Sequence, residues 1–176
     1  GYPDRKNSAE GKITGILARA GEPGGDIKAI IRQRGLFFTF PSKAAAQAKA
    51  ISKAGVGEQD MAGRRDLRGE NIITIDGADS KDFDDAVSVK RLDNGNFLLG
   101  VHIADVSHYI GEDSPLDKEA LKRGNSVYII NQVVPMLPKE LSNGICSLNE
   151  GEDRLTLSVD MEITPEGDIT EHNIYE

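Results

Sequence analysis

Five aspartates fall within ten residues, in Asp76-Gly-Ala-Asp79-Ser-Lys-Asp82-Phe-Asp84-Asp85. Lys81 is the one cationic side chain among them. Carboxylates this close repel one another, and a divalent cation offsets that repulsion. Hard oxygen donors suit Mg²⁺ or Mn²⁺. Two such ions ~3.5–4 Å apart can activate a water and stabilise the leaving oxygen of a phosphodiester. A solvated acidic loop is the competing reading, and on the residues alone the two stand level. Apolar segments on both sides, and Phe83 within the run, point to partial burial. The spacing does not fit an EF-hand: counted from Asp76, the third position is Ala78 and the sixth Lys81, and counted from Asp82 the fifth is Ala86. An aspartyl-phosphate reading of Asp82-Phe-Asp84-Asp85-Ala86 lacks its expected Thr.

The elements around the run must position it. A strand over 71–75 delivers Asp76 at its end. Residues 86–92 and 96–103 form a hairpin about Asp93-Asn94-Gly95, where Asn-Gly favours a tight primed turn. Ser114-Pro115-Leu116-Asp117 starts a helix that runs to Arg123 and stops at Gly124. Residues 125–131 form a short strand. Pro135, Pro138 and Gly144 mark an irregular stretch with one helical turn. Residues 154–163 alternate, with Leu155, Leu157, Val159, Met161 and Ile163 on one face, and a last strand follows over 169–175. Upstream, residues 9–20 read as a strand. Residues 26–34 read as a helix capped by Asp26 and stopped by Gly35, and Ser42 opens an Ala-rich helix ended by Gly55. That helix offers a mostly Ala face, which predicts thin packing. The fold class is α+β, a mixed and largely antiparallel sheet with helices.

Charge divides the chain. Residues 1–70 carry 13 Lys and Arg against 8 Asp and Glu, whereas residues 71–176 carry 8 against 21. Residues 55–70 read as a linker, and the main boundary falls near residue 68. The net charge of -8 argues against duplex binding through a basic patch, though a nuclease site itself needs carboxylates. A polar N-terminus without a signal-peptide core and a lone cysteine, Cys146, predict a cytoplasmic protein, and no apolar run reaches a membrane span.

The run Thr74-Ile-Asp-Gly-Ala-Asp-Ser-Lys-Asp-Phe-Asp-Asp-Ala86 resembles the signature of the RNB domain of the ribonuclease II/ribonuclease R family. Gly63–Arg68, Gly100–His108, Pro135–Pro138, Leu141–Ser147 and Glu152–Arg154 match in order, and the ribonuclease R branch is the closer fit. The resemblance implies a processive 3′→5′ exoribonuclease that uses Mg²⁺ or Mn²⁺ to release nucleoside 5′-monophosphates from the 3′ end of single-stranded RNA. It carries the four active-site aspartates onto Asp76, Asp82, Asp84 and Asp85. Asp76 and Asp85 are then direct metal ligands, Asp82 and Asp84 complete the metal site, and Asp84 matters most for turnover. Asp79 is not one of the four and reads as a surface or turn residue. Tyr128 matches the family tyrosine that stacks on the terminal nucleotide, although a lone strand tyrosine is more often core.

By the same resemblance, residues 1–68 hold the end of a cold-shock, OB-like barrel and a helical linker, with the 9–20 strand its remnant. Residues 69–176 are the N-terminal part of the RNB domain. A catalytic arginine, further acids and an S1 domain are expected beyond Glu176, so the chain by itself is expected to be inactive. No membrane and no obligate protein partner is implied. An RNA-binding module without cleavage and an acidic cation-binding structural domain remain as alternatives. His102, Asp105, Ser107 and His108 read first as hydrogen-bonded structural residues and second as catalytic ones. Arg154 is open between phosphate and a neighbouring acid, and Cys146 reads as a small buried residue.

Overall fold

The computed structural model describes residues 11–129 and 132–176. By packing, the chain divides into two compact units. One takes in the chain up to Thr39 with Tyr128–Val134; the other takes in Phe40–Val127 with Pro135–Glu176.

The larger unit is built on a five-stranded antiparallel sheet. Its strands are β1 (Ile72–Ile73), β2 (Asp85–Arg91), β3 (Phe97–Ala104), and two later ones numbered β6 (Thr156–Ile163) and β7 (Ile169–Tyr175), in the order β1-β2-β3-β6-β7. The β2–β3 hairpin pairs Asp85 with Ile103 through to Arg91 with Phe97. Its turn is not the primed type that Asn-Gly suggests. The Leu92 N–H bonds the Asn96 carbonyl (2.8 Å) and the Gly95 N–H bonds the Leu92 carbonyl (3.0 Å). Gly95 alone takes the left-handed conformation (φ 91°). This is a three-residue loop, and Asn94 supports it by accepting the Asn96 N–H.

One face of the sheet is polar and buried. Ala86, His102 and Ser158 lie side by side across β2, β3 and β6, and all are buried. His102 is only 2% exposed, and its Nε2 and Nδ1 lie 3.0 and 2.9 Å from Ser88 Oγ and Ser158 Oγ. Both ring nitrogens thus have partners, which is what lets a polar ring sit in the interior. Gly100 makes room for this arrangement: a Cβ there would run into the Ser88 hydroxyl and stand 2.9 Å from His102 Nε2. The opposite face carries Val87, Val101 and Val159, with Leu157 and Ile174 exposed. The odd-numbered apolar residues of β6 do share a face, but the buried one is the other.

The helical layer holds the main core. Helix α2 (Ser42–Ala54) buries Ala44 and Ala48 completely. These small side chains let α4 (Pro115–Arg123) and the single wide turn Leu141–Ile145 approach closely. Leu116, Leu137, Leu141, Ile145 and Cys146 complete the cluster. Each fully buried Leu contributes about 1.5–3 kcal/mol. Helix α4 begins as its sequence predicts: Ser114 Oγ accepts the Asp117 N–H (3.2 Å), Pro115 occupies the first turn and Gly124 ends it. A short helix, α3 (Val106–Tyr109), follows β3 under an Asp105 cap.

The smaller unit contains α1 (Gly25–Gln33), with Ile31 buried, and, apart from Val127, a two-stranded ribbon of β4 (Val127–Ile129) and β5 (Gln132–Val134). Asp26 does not cap α1: Gly24 takes the cap position, and Asp26 lies in the first turn, where its carboxylate still favours the helix N-terminus. The strand expected over 9–20 is absent from 11–20, and residues 9 and 10 lie outside the described residues. Ile13 and Ile16 face solvent there. Among the described residues no strand pairs with this segment, and backbone groups without such a partner do not build a strand. Residues 130 and 131 of the expected 125–131 strand also lie outside the described residues.

Candidate metal centre

The acidic run crosses from β1 to β2. The first strand pairs only at Ile72 with Ser88 and Ile73 with Val87, so it is shorter than the 71–75 expected. Ile75 is 81% exposed and already outside it. Asp76 therefore sits in the connecting loop, three residues past the strand. Ala78 and Asp79 form a turn closed by the Ser80 N–H on the Gly77 carbonyl (2.9 Å), and Asp79 is exposed on it.

Asp82, Asp84 and Asp85 have firmer anchors. Asp85 opens β2 opposite Ile103, and the Ala104 N–H bonds the Asp84 carbonyl (2.9 Å). Phe83 is clamped on both sides of its backbone. Its N–H donates to Ser147 Oγ (3.0 Å), and its carbonyl accepts the Leu148 N–H (2.9 Å). Ser147 is fully buried, and its hydroxyl lies within reach of Asn149 Oδ1 (3.1 Å) and the Lys81 carbonyl (3.3 Å).

The electrostatics tie the four predicted residues together. Burial, and then the charges of Asp82, Asp85 and Asp76, push the Asp84 carboxyl above its ordinary value. Asp84 thus stands in the field of the other three, and Asp79 does not contribute. As carboxylate chemistry, this donor set fits a hard divalent cation. Among the described residues, no three His, Cys, Asp or Glu side chains are grouped closely enough to hold an ion on their own. The structure therefore brings Asp76, Asp82, Asp84 and Asp85 into one electrostatic neighbourhood without fixing a coordination geometry. Tyr128 belongs to the smaller unit, on β4, and at 70% exposure it is not a core residue.

The residues left open in the sequence find structural partners. Arg154 Nε donates to the Ser147 carbonyl (2.8 Å), and its guanidinium pairs with Glu152. Asp105 Oδ2 takes a 2.6 Å ion pair from Arg64, a residue that sequence reasoning missed as a partner. Asp105 Oδ1 accepts from Ser107 Oγ and the His108 N–H. Burial pushes the Asp105 carboxyl up, but these hydrogen bonds and the Arg64 charge outweigh it and hold it below the ordinary range. Burial holds His102 below its ordinary value against the opposing charge of Asp160, and it raises the Cys146 thiol to about 11. A cavity of about 1020 Å³ borders this region, lined among others by Arg64, Arg65, Arg68, Arg154, Phe83 and His102. Its arginines are matched by Asp105, Asp160, Asp66 and Glu152, so it is not a net cationic groove.

The chain is similar to known proteins in sequence and in fold. The RNB domain family profile matches residues 64–176, and a cold shock domain profile matches residues 1–41. Ribonuclease R of Thermotoga maritima is 52% identical over 176 residues, covering 99% of this chain and 25% of that protein. Ribonuclease R 1 of Lactococcus lactis is 51% identical over 175 residues, covering 98% of this chain and 21% of its own length. The structure of Mycoplasma genitalium RNase R in complex with ribose methylated single-stranded RNA superposes with a TM-score of 0.81 at 33% identity, over 90% of this chain and 24% of that one. The chain thus spans about a quarter of the length of the relatives it matches. Among the described residues, no helix is long and apolar enough to cross a membrane.

Proposed function

Because the chain belongs to the RNB-domain ribonuclease family, we propose that it supplies the metal-binding aspartates of a processive exoribonuclease. That enzyme hydrolyses single-stranded RNA in the 3′→5′ direction to nucleoside 5′-monophosphates. The observation that carries this reading is the family match over residues 64–176 together with the anchoring of the acidic run, where Asp85 opens β2 and the Ala104 N–H binds the Asp84 carbonyl; burial and the charges of Asp82, Asp85 and Asp76 raise the Asp84 carboxyl in addition. Like charges gathered in the loop before β2 and at its first residue call for a cation. We assign Asp76 and Asp85 as direct ligands, with Asp82 and Asp84 completing the site. When bound, Mg²⁺ or Mn²⁺ supplies charge stabilisation at the phosphate and lowers the pKa of a water.

The chain's own contribution is to hold these carboxylates in place. The Ala104 N–H fixes Asp84 against β3, and β2 pairing fixes Asp85. The exposed Tyr128 ring offers a stacking face for a terminal base, a contact every base can make. Residues 1–68 act as the end of a cold-shock domain and its linker, and 69–176 as the N-terminal part of the catalytic domain. The reading assigns activity to a protein of full family length working in the cytoplasm without an obligate protein partner. It assigns none to these 176 residues alone.

Asp84→Asn in the full-length protein tests the reading. Cleavage of labelled single-stranded RNA should disappear while RNA binding stays. Parallel loss of binding and cleavage, or robust monophosphate release by the 176-residue chain, would refute it. Calorimetry that detected Mg²⁺ but never RNA, even with the full-length protein, would favour a cation-binding structural domain instead.

A further inference from the structure

The acidic loop is held from one side by a residue whose own chemistry is not that of a metal ligand. We propose that Ser147 is a positioning residue for the metal centre: its buried hydroxyl latches the backbone of Phe83 and thereby sets the spacing of Asp82 and Asp84. The proposal rests on the reading of the aspartates as a cation site.

Three observations support it. First, the contact is specific. Phe83 lies between Asp82 and Asp84, and its N–H has Ser147 Oγ as acceptor at 3.0 Å. The adjacent Leu148 N–H takes the Phe83 carbonyl at 2.9 Å, so both backbone polar groups of Phe83 are bound by consecutive residues of one segment. Second, the hydroxyl is itself oriented. It is fully buried, with Asn149 Oδ1 at 3.1 Å and the Lys81 carbonyl at 3.3 Å as acceptors for its proton. That leaves its oxygen lone pairs for the Phe83 N–H. Third, the platform is rigid. Arg154 Nε binds the Ser147 carbonyl at 2.8 Å, and Ile145 and Cys146 immediately before it sit in the helical core. The latch therefore ties the loop between β1 and β2 to the best-packed part of the unit.

The consequence concerns the cation. Carboxylates that repel one another move apart when the backbone between them is released. Removing Ser147 Oγ leaves the Phe83 N–H without its acceptor and frees the loop to relax away from a ligating arrangement. Groups that orient ligands in this way typically alter metal affinity by about 10–100-fold.

The test compares two equally buried serines. Ser158 is 2% exposed, and its hydroxyl bonds His102 and Thr156 rather than the backbone of the acidic run. Mn²⁺ binding is measured by calorimetry on the chain and, where the affinity of the chain is low, on the full-length protein. Ser147→Ala should weaken Mn²⁺ binding about 10–100-fold, with Ser158→Ala at the wild-type value. Amide exchange in the metal-free chain gives a second readout: protection at Phe83 should fall in Ser147→Ala and hold in Ser158→Ala. If Ser147→Ala fails to fold, Asn149→Ala removes an acceptor of the same hydroxyl and should weaken Mn²⁺ binding in the same direction. Unchanged Mn²⁺ affinity in folded Ser147→Ala, or equal weakening in Ser158→Ala, overturns the latch while leaving the cation site intact. A wild-type full-length protein that binds no Mn²⁺ overturns the aspartate reading and the latch with it.

Discussion

The pair between Arg64 and Asp105 gives a sharp stability test. Asp105 directly follows Ala104, whose N–H holds Asp84, so this carboxylate anchors the β3 end beside the acidic loop. Its side chain is 7% exposed and that of Arg64 is 11% exposed, at a separation of 2.6 Å. Asp105→Ala removes the ion pair and also the carboxylate that caps α3, which accepts from Ser107 Oγ and the His108 N–H. Breaking a buried pair from one side leaves an uncompensated charge and costs about 3–5 kcal/mol. Glu176 Oε2, 3.4 Å from the same guanidinium, gives Arg64 an exposed substitute, which points to the lower end of that range. A loss of about 3 kcal/mol is a large share of a typical domain stability of about 5–15 kcal/mol.

Urea unfolding followed by circular dichroism measures this loss, and a double-mutant cycle with Arg64→Ala isolates the pair. The pH dependence carries a defined sign. The folded Asp105 carboxyl lies below its unfolded value, so its stabilisation is present above that value and is lost as pH falls below about 4. The Asp105→Ala variant should lose this part of the acid limb. A destabilisation under about 1 kcal/mol, or an unchanged acid limb, would refute the reasoning.

Three further outcomes follow from the same geometry. Burial holds the folded His102 below its ordinary value, so unfolding takes up a proton as pH falls through the unfolded value of about 6.5. Stability should therefore fall with falling pH below about 6.5, and His102→Gln should flatten that limb in pH-dependent denaturation. Gly100→Ala places a methyl against Ser88 and His102 and should cost about 1–3 kcal/mol in the same denaturation assay. Tyr128→Ala in the full-length protein should weaken single-stranded RNA binding by about 1–3 kcal/mol in a fluorescence titration.

Elements with strong local chemistry were legible in the sequence. Ser114-Pro115 with Gly124 bounded α4, and Gly55 ended α2, because caps and stops act through neighbouring backbone groups. The β2–β3 hairpin was legible, but its turn type was not. Asn94 and Gly95 permit more than one loop, and the pairing of Leu92 with Asn96 selected among them. Burial sides were the harder matter. The apolar alternation of β6 drew attention to Leu157 and Val159, whereas the buried face is built from His102, Ser158 and Ala86. A sheet face is buried by what packs on it, and that is not written in one strand. The acidic run was visible as a cluster. Its link to Ser147, sixty-four residues away from Phe83, arises only when the chain folds back.

In the proposed reading, Asp76, Asp82, Asp84 and Asp85 form the metal centre of a 3′→5′ exoribonuclease. The most direct measurement follows the products released from 5′-labelled single-stranded RNA by the full-length protein, with Mg²⁺ and after chelation. The account predicts progressive shortening from the 3′ end, nucleoside 5′-monophosphates as product, and no reaction in chelator. Cleavage that persists without divalent metal, or that begins at internal positions, would contradict it.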